Sequence, residues 1–382
     1  MNLEECRKEI DLIDKEIVEL FVKRMNVAKE VAQYKKATGK AVYDAERERQ
    51  LLEKVEECAG EEFGDYTRRL YSAILELSRN YQNKSILPGS GLSEAVAKAV
   101  NETPSLFPEK AVVACQGVEG AHSSGACQKL FEKPSIMYCQ SFESVFQAVE
   151  SGLCAYGVVP LENSSAGSVT QIYNLMSQHK FSIVRSTKMQ IQHNLLAKKG
   201  TKLGDIKEIF SHPQAISQSS DFIESLGKDV KVTECANTAL AAKMVSESDR
   251  NDVAAISSEL CASQYGLEIV KPYIQNTKNN YTRFICFAKN LQIFPGADRT
   301  SLLIKTPHRA GALYSVIANF YALGINIIKL ESRPIPESDF EFMFYFDIDV
   351  SVYSQKLPAI IDLLEYSLGE ENVKYLGSYR EA

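Results

Sequence analysis

Nine positions of the N-terminal segment, stepping by four and three from Leu3, read Arg7, Ile10, Asp14, Ile17, Phe21, Arg24, Ala28, Val31 and Lys35. That step predicts one long helix with a single inward stripe. Three cations, Arg7, Arg24 and Lys35, stand in the stripe where a core would take leucine. Buried charge is costly unless paired, so the stripe asks for anionic partners. The alternative is a packed seam whose long cationic side chains reach water at its edge.

Length and charge narrow the field. A chain of 382 residues is long enough for two or three domains, and 45% hydrophobic content supports real cores. A formal net charge of −6 gives no basic footprint for nucleic acid or an anionic membrane. Nine cysteines, with no Cys-x-x-Cys pair, suit reduced thiols in a cytoplasm. The start, MNLEECRKEIDLIDKE, is too charged for a signal peptide, and no apolar run is long enough to span a bilayer. A cytoplasmic protein is expected.

Three textures follow one another. Residues 1–84 read as helical, with breaks at Gly39 and around Gly60–Gly64, Asp44 as N-cap of a second helix to about Cys58, and a third helix from Thr67 to Gln82. Residues 85–109, rich in Pro, Gly and Ser around a short Ala-rich stretch, read as a linker. Residues 110–290 alternate short apolar runs with amphipathic stretches, an α/β pattern. Residues 298–382 give the order βαββαβ, the ferredoxin-like α+β arrangement.

The helical module collects Arg7, Arg24, Lys35, Arg47, Glu48, Ser78 and Gln82 on core-facing stripes, with Asp44 one turn before Glu48. No nucleophile–base pair and no metal set stands among them. Such groups can clamp carboxylates and fix one hydroxyl and one neutral oxygen. On a straight helix Arg7 lies roughly 25 Å from Arg24, so the two cannot hold one small molecule within one chain. If Arg7 serves this kind of site, it serves one in a second copy. A helix of roughly 50 Å also needs a partner to bury its stripe. A homodimer or higher homo-oligomer is expected.

This pattern, including the DAERER segment, resembles the chorismate mutase domain that opens the bifunctional chorismate mutase–prephenate dehydratases. The resemblance implies that Arg7 reaches in from the other subunit and that Arg24 and Ser78 hold carboxylates. Lys35 and Gln82 would address the ether oxygen of chorismate, and Glu48 its ring hydroxyl; Asp44 and Arg47 complete the substrate-binding set. A one-step pericyclic rearrangement needs conformational selection and stabilisation of the breaking C–O bond, without a covalent partner or a metal.

In the middle module, PLENSSAGSV reads as a strand, a polar turn and a helix start, able to meet a carboxylate or simply to cap a helix with Asn163, Ser164 or Ser165. GVEGAHSSG lacks the spacing of a dinucleotide loop or a P-loop, and His212 in SHPQA reads as a turn residue. Thr282 and Arg283 in NNYTRF open an apolar strand, where α/β folds bind ligands. With SHPQA and AAISSELCASQYGL, these segments resemble the prephenate dehydratase domain, a two-lobed fold like that of periplasmic binding proteins. By that resemblance Thr282 is catalytic, assisting the departing hydroxyl while the ring carboxylate leaves as carbon dioxide. Arg283, Asn163 and Ser164 would surround the substrate's carboxylates. Where the family carries a GSYS-like loop, this chain has Gly120, Ala121, His122 and Ser123, and His122 is kept out of the catalytic set.

The last module resembles the ACT regulatory domain of the same enzymes. The match lies at Gly311, Ala312 and Leu313 and at Glu331, Ser332, Arg333 and Pro334, with Ala310 where proline is usual. It implies L-phenylalanine bound at a subunit interface as feedback inhibitor. No cofactor is expected. The expected partners are chorismate, prephenate and phenylalanine, with neither nucleic acid nor membrane. A mutase fused to prephenate dehydrogenase would show a dinucleotide fingerprint, which this sequence lacks, and a non-enzymatic binding module and amino-acid sensor with a decayed mutase would not keep Arg7, Arg24, Lys35, Glu48, Gln82 and Thr282 intact. Arogenate stays open as an alternative dehydratase substrate.

Overall fold

The computed structural model describes residues 2–86, 90–277, 279–335 and 342–382. Residues 87–89 of the expected linker, residue 278 of the expected α/β module and residues 336–341 of the expected βαββαβ module lie outside the described residues.

Helix α1 (Leu3–Thr38) opens with a capping box, in which Asn2 accepts from the Glu5 N–H and the Glu5 side chain accepts from the Asn2 N–H. It stops at Gly39, whose φ of 68° places it in the left-handed region. Helix α2 (Ala45–Ile86) starts where Asp44 Oδ1 accepts the Arg47 N–H at 3.0 Å. Gly60, at φ 74° and ψ 177°, reverses α2 into a hairpin, whose arms are bridged by Arg68–Glu56 at 2.6 Å and by Arg79–Glu48. The second arm resumes directly after Gly60, earlier than the Thr67 expected from sequence. Gly64 allows the arms to close, since a Cβ there would stand 3.2 Å from the Glu56 backbone oxygen. Along α1 itself just Ala28 and Ala32 are buried, while Ile10, Ile13, Ile17, Leu20 and Val27 are exposed.

The stretch expected to be a linker contains α3 (Gly91–Glu102), capped by Ser90. Its Val96 and Ala99 are buried in the core of the C-terminal domain beside Leu302, Val316 and Leu364. Leu92 and Val100 pack against the same core, so one apolar face of a short helix docks it.

Two lobes follow. The first contains β1 (Lys110–Gln116), α4 (His122–Leu130), β2 (Lys133–Cys139), α5 (Phe142–Glu150), β3 (Tyr156–Asn163), β4 (Gly167–Ser168), α6 (Thr170–Gln178) and β5 (Ser182–Gln190). The second contains β6 (Asn194–Ala197), β7 (Glu208–Ser211), α7 (Pro213–Ser217), α8 (Ser220–Ser225), β8 (Lys231–Glu234), α9 (Thr238–Glu247), β9 (Val253–Ser257), α10 (Glu259–Tyr265) and β10 (Glu268–Lys271). Strand β11 (Tyr281–Ala288) then returns to the first lobe between β5 and β3. The second lobe's sheet runs β10-β6-β9-β7-β8. Central strands are buried on both faces, as Val113, Ala114 and Cys115 show, so they read as continuous apolar runs.

The C-terminal domain has β12 (Arg299–Thr306), α11 (Ala312–Ala322), β13 (Asn326–Pro334), β14 (Phe342–Asp349), α12 (Lys356–Leu368) and β15 (Val373–Glu381), the βαββαβ order read from sequence. Its sheet, β13-β14-β12-β15, is antiparallel. Strand β15 also pairs in parallel with β5, at Arg380–Arg185 and Glu381–Ser186, which joins the first lobe and this domain in one sheet. Among the described residues β13 ends that sheet as an edge.

Candidate active sites

A cavity of about 440 Å³ lies between α1 and the two arms of α2. Arg24 and Lys35 come from α1, Asp44, Arg47 and Glu48 from the start of α2, and Ser78 and Gln82 from its second arm. Val27, Val31, Leu51 and Leu75 supply apolar wall between them. Arg24 Nη1 and Gln82 Oε1 are buried with no hydrogen-bond partner among the described residues. Lys35 Nζ donates to the Val42 carbonyl at 2.7 Å, and Gln82 Nε2 to Ser78 Oγ at 3.2 Å. Asp44 and Arg47 stand exposed at the mouth.

Sequence reading missed Arg79, which lines the same cavity, pairs with Glu48 and lies 5.5 Å from the Tyr43 ring centroid. Its position four after Leu75 and three before Gln82 was the available signal. Four cations, Arg24, Lys35, Arg47 and Arg79, thus face two carboxylates, and the excess positive charge suits a dianion. Arg7 does not join them within the chain and is exposed.

The second cavity, about 520 Å³, is the cleft between the α/β lobes. Asn163, Thr282, His122 and Ser168 line one side, and His193, His212, Gln218 and Asn237 the other. A chain of hydrogen bonds fixes the orientation of each amide. Asn163 Oδ1 accepts from the N–H groups of Ser165 (3.0 Å) and Ala166 (2.8 Å), so its Nδ2 is the donor to Asn280 Oδ1 (2.7 Å) and Thr282 Oγ1 (2.9 Å). Asn280 Nδ2 then donates to Gln218 Oε1 (3.0 Å), which leaves His193 Nε2, at 2.9 Å, to donate to the same oxygen. Because Thr282 Oγ1 accepts from Asn163, its own hydrogen is free to be donated elsewhere.

Charge and dipoles add to this. Burial foremost, and the neighbouring His193 next, push the His122 imidazole down to about 4. Burial also lowers His193, against its bond to Gln218. Both rings are therefore neutral near pH 7. Ala121 and Val169, the N-caps of α4 and α6, line the cleft and make no side-chain cap, and Asn237 at the start of α9 lines it too. Several helix N-termini on one cavity favour a carboxylate ligand.

Two expected contacts are corrected. Arg283 is on the opposite face of β11 from Thr282, as strand alternation requires. It lies buried against Asp347, against Glu162 at 3.2 Å and against the Tyr379 hydroxyl at 2.7 Å, away from the cleft. Ser164 is exposed and tied to backbone, donating to the Asn279 carbonyl (3.0 Å) and accepting from the Tyr281 N–H (2.9 Å). None of Asn163, Ser164 and Ser165 caps α6, which starts after Val169 with no side-chain cap. His212 is a turn residue, capping α7 with Nδ1 accepting from the Gln214 N–H. Asn280, His193 and Gln218 were missed; Asn280 had a signal, standing two residues before Thr282 and so on its face.

In the C-terminal domain Gly311, at φ 81°, starts α11, with Ala312 buried and Leu313 packed against the core. On β13 Glu331 and Arg333 turn inward, paired to each other at 2.8 Å, while Ser332 and Pro334 face out. Glu331 accepts from Ser168 Oγ (2.8 Å), and Arg333 lies 5.5 Å from the Tyr173 ring centroid.

Fold and cavities define a two-site enzyme for anionic substrates, a helical cationic pocket and an α/β cleft under one small α+β domain. Family models agree: chorismate mutase type II matches residues 6–83 and prephenate dehydratase residues 113–292. The bifunctional chorismate mutase/prephenate dehydratase of Escherichia coli (strain K12) is 30% identical over 383 residues, covering 98% of this chain and 95% of its own. The chain belongs to this bifunctional family, and as a member it is an enzyme with both activities. The arogenate dehydratase/prephenate dehydratase 2 of Arabidopsis thaliana is 32% identical over 318 residues, 80% of this chain and 81% of the relative. Among solved structures, the prephenate dehydratase of Arthrobacter aurescens in complex with L-Phe superposes with a TM-score of 0.64 at 25% identity, covering 70% of this chain and 90% of that one.

Proposed function

We propose that residues 1–84 rearrange chorismate to prephenate and that residues 110–290 convert prephenate to phenylpyruvate, while residues 298–382 lend phenylalanine control. The observation that carries this reading is the cationic pocket, in which Arg24 Nη1 is buried with no hydrogen-bond partner among the described residues. Arg24 is half-buried, and the Nη1 edge it turns into the pocket lacks an acceptor among the described residues, so that edge suits an anion.

In the mutase, Arg24, Arg47 and Ser78 take the carboxylates, with Arg7 of a second copy. Lys35 meets the ether oxygen as its C–O bond breaks and the new C–C bond forms. Gln82 turns its amide from Ser78 to the same oxygen. Glu48, held by Arg79, accepts from the ring hydroxyl, and Asp44 caps the helix that presents it. Charge grows on the ether oxygen in the transition state, so Lys35 acts on kcat.

In the dehydratase, Thr282 donates a hydrogen bond to the departing hydroxyl, which takes a proton from solvent and leaves as water, while the ring carboxylate leaves as carbon dioxide and the electron pair of its broken C–C bond completes the aromatic ring. Asn163 holds Thr282 for this task, and the helix N-termini take the remaining carboxylate. The exposed apolar face of α1 supports a homodimer or higher assembly. Strand β13, an edge bearing exposed Ile328 and Leu330, supports a second contact between copies. Phenylalanine binds there between Gly311, Ala312 and Leu313 of one copy and Glu331, Ser332, Arg333 and Pro334. We place the enzyme in the cytoplasm; among the described residues no helix is long and apolar enough to cross a membrane.

A single coupled assay tests this. Chorismate fed to the enzyme yields prephenate and then phenylpyruvate, and phenylalanine suppresses the product. Consumption of chorismate without prephenate would refute the assignment.

A further inference from the structure

The C-terminal domain touches the helical pocket as well as the cleft. Val42 lies in the short connection between α1 and α2, is buried, and lines the pocket. Its carbonyl accepts from Lys35 Nζ at 2.7 Å, and its N–H donates to the Tyr366 hydroxyl of α12 at 3.3 Å. One residue therefore bonds the site's lysine on one side and the C-terminal domain on the other. A second bond crosses the same seam, from Asn80 Nδ2 beside Arg79 to Asn319 Oδ1 of α11 at 3.1 Å. Beside these contacts Phe21, Met25 and Leu77 are separated from Leu323 and Leu363 by a cavity of about 370 Å³. Close packing does not fill that part of the seam, so the hydrogen bonds weigh more in locating the connection.

We propose that Tyr366 is a positioning residue of the mutase, setting through Val42 where Lys35 presents its ammonium group. This rests on the mutase reading of the pocket. Lys35 ends a long helix, and its side chain has many rotamers; a fixed carbonyl acceptor selects one of them. Removing the hydroxyl frees the Val42 N–H to shift and broadens the position of the lysine. Misplacement of a group that acts at the breaking bond lowers kcat, whereas the carboxylate clamps at Arg24 and Arg47 keep KM.

The test is Tyr366→Phe in the full chain. Mutase kcat should fall by about 3- to 10-fold, the loss of one neutral hydrogen bond, with KM for chorismate changed by less than about twofold. Dehydration of supplied prephenate and the melting temperature should stay as in the wild type. Asn319→Ala, which breaks the other seam bond and leaves Val42 alone, should keep wild-type mutase kcat. Wild-type kcat in Tyr366→Phe, or equal losses in both variants, would overturn the proposal while the mutase reading stands. A wild-type protein that leaves chorismate unchanged would take both down.

Discussion

Replacing Asp347 by asparagine separates a structural Arg283 from a substrate-binding one. Arg283 and Asp347 are both buried, and the guanidinium also meets Glu162 at 3.2 Å and the Tyr379 hydroxyl at 2.7 Å. Burial works against the charge on Arg283, and Asp347 with its neighbours more than offsets this, so the group stays protonated. Asp347 Oδ1 accepts from Tyr345 at 2.6 Å and from Ser301 and Tyr379. Asparagine has the same shape and keeps an oxygen for those hydroxyls, but it turns an amide donor toward a guanidinium donor. Breaking a buried pair from one side costs about 3–5 kcal/mol, and the low end applies because Glu162 remains. With a urea dependence of about 3 kcal/mol/M, a loss of about 3 kcal/mol lowers the unfolding midpoint by about 1 M. Urea unfolding followed by dehydratase activity and circular dichroism measures this. Under conditions where the variant is folded, KM for prephenate should change by less than about threefold, as Arg283 faces away from the cleft. A wild-type midpoint, or a tenfold rise in KM, would refute the reasoning.

Thr282→Val should lower dehydratase kcat by about 100-fold or more and leave the mutase untouched; near-normal phenylpyruvate formation would remove the hydroxyl from the mechanism. His122 is held down to about 4, below its unfolded value of about 6.5, so the unfolded chain binds a proton that the folded chain refuses between those pH values. Its contribution is full above about pH 6.5 and declines toward pH 4. His122→Gln should therefore gain stability relative to wild type at pH 5 compared with pH 7.5, and an equal melting difference at both would contradict the assignment. Glu331→Ala should retain both activities and lose phenylalanine inhibition, read as a shift of the inhibition curve; an unchanged curve would move the effector site elsewhere.

The stripe on α1 was legible because helical spacing alone fixes which side chains share a face, and that face brought Arg24 and Lys35 to one cavity. The same rule placed Ser78 and Gln82, yet Arg79 escaped attention because a surface arginine and a pocket arginine look alike until Glu48 stands opposite. The βαββαβ order followed from alternating patterns with short connections. Arg283 shows where sequence runs out: Thr282 and Arg283 are adjacent in a motif, and a strand sends neighbours to opposite faces, but the sequence does not say that Asp347, 64 residues away, receives the arginine. Helix α3 was masked by flanking Pro, Gly and Ser, and its role depends on a core assembled some 200 residues later. The His193–Gln218–Asn280–Asn163–Thr282 chain joins segments from both lobes, so no local pattern announces it.

A mutase site that takes Arg24 from one copy and Arg7 from another can be rebuilt by mixing two inactive variants. Arg7→Ala and Arg24→Ala should each abolish chorismate rearrangement when alone. Unfolded together and refolded, half of the dimers pair one of each, and one site in such a pair recovers both arginines. Mutase activity should return to about a quarter of wild type, as expected for random exchange of a twofold-symmetric dimer. A mixture that stays inactive, or an Arg7→Ala protein with full activity, would contradict the account.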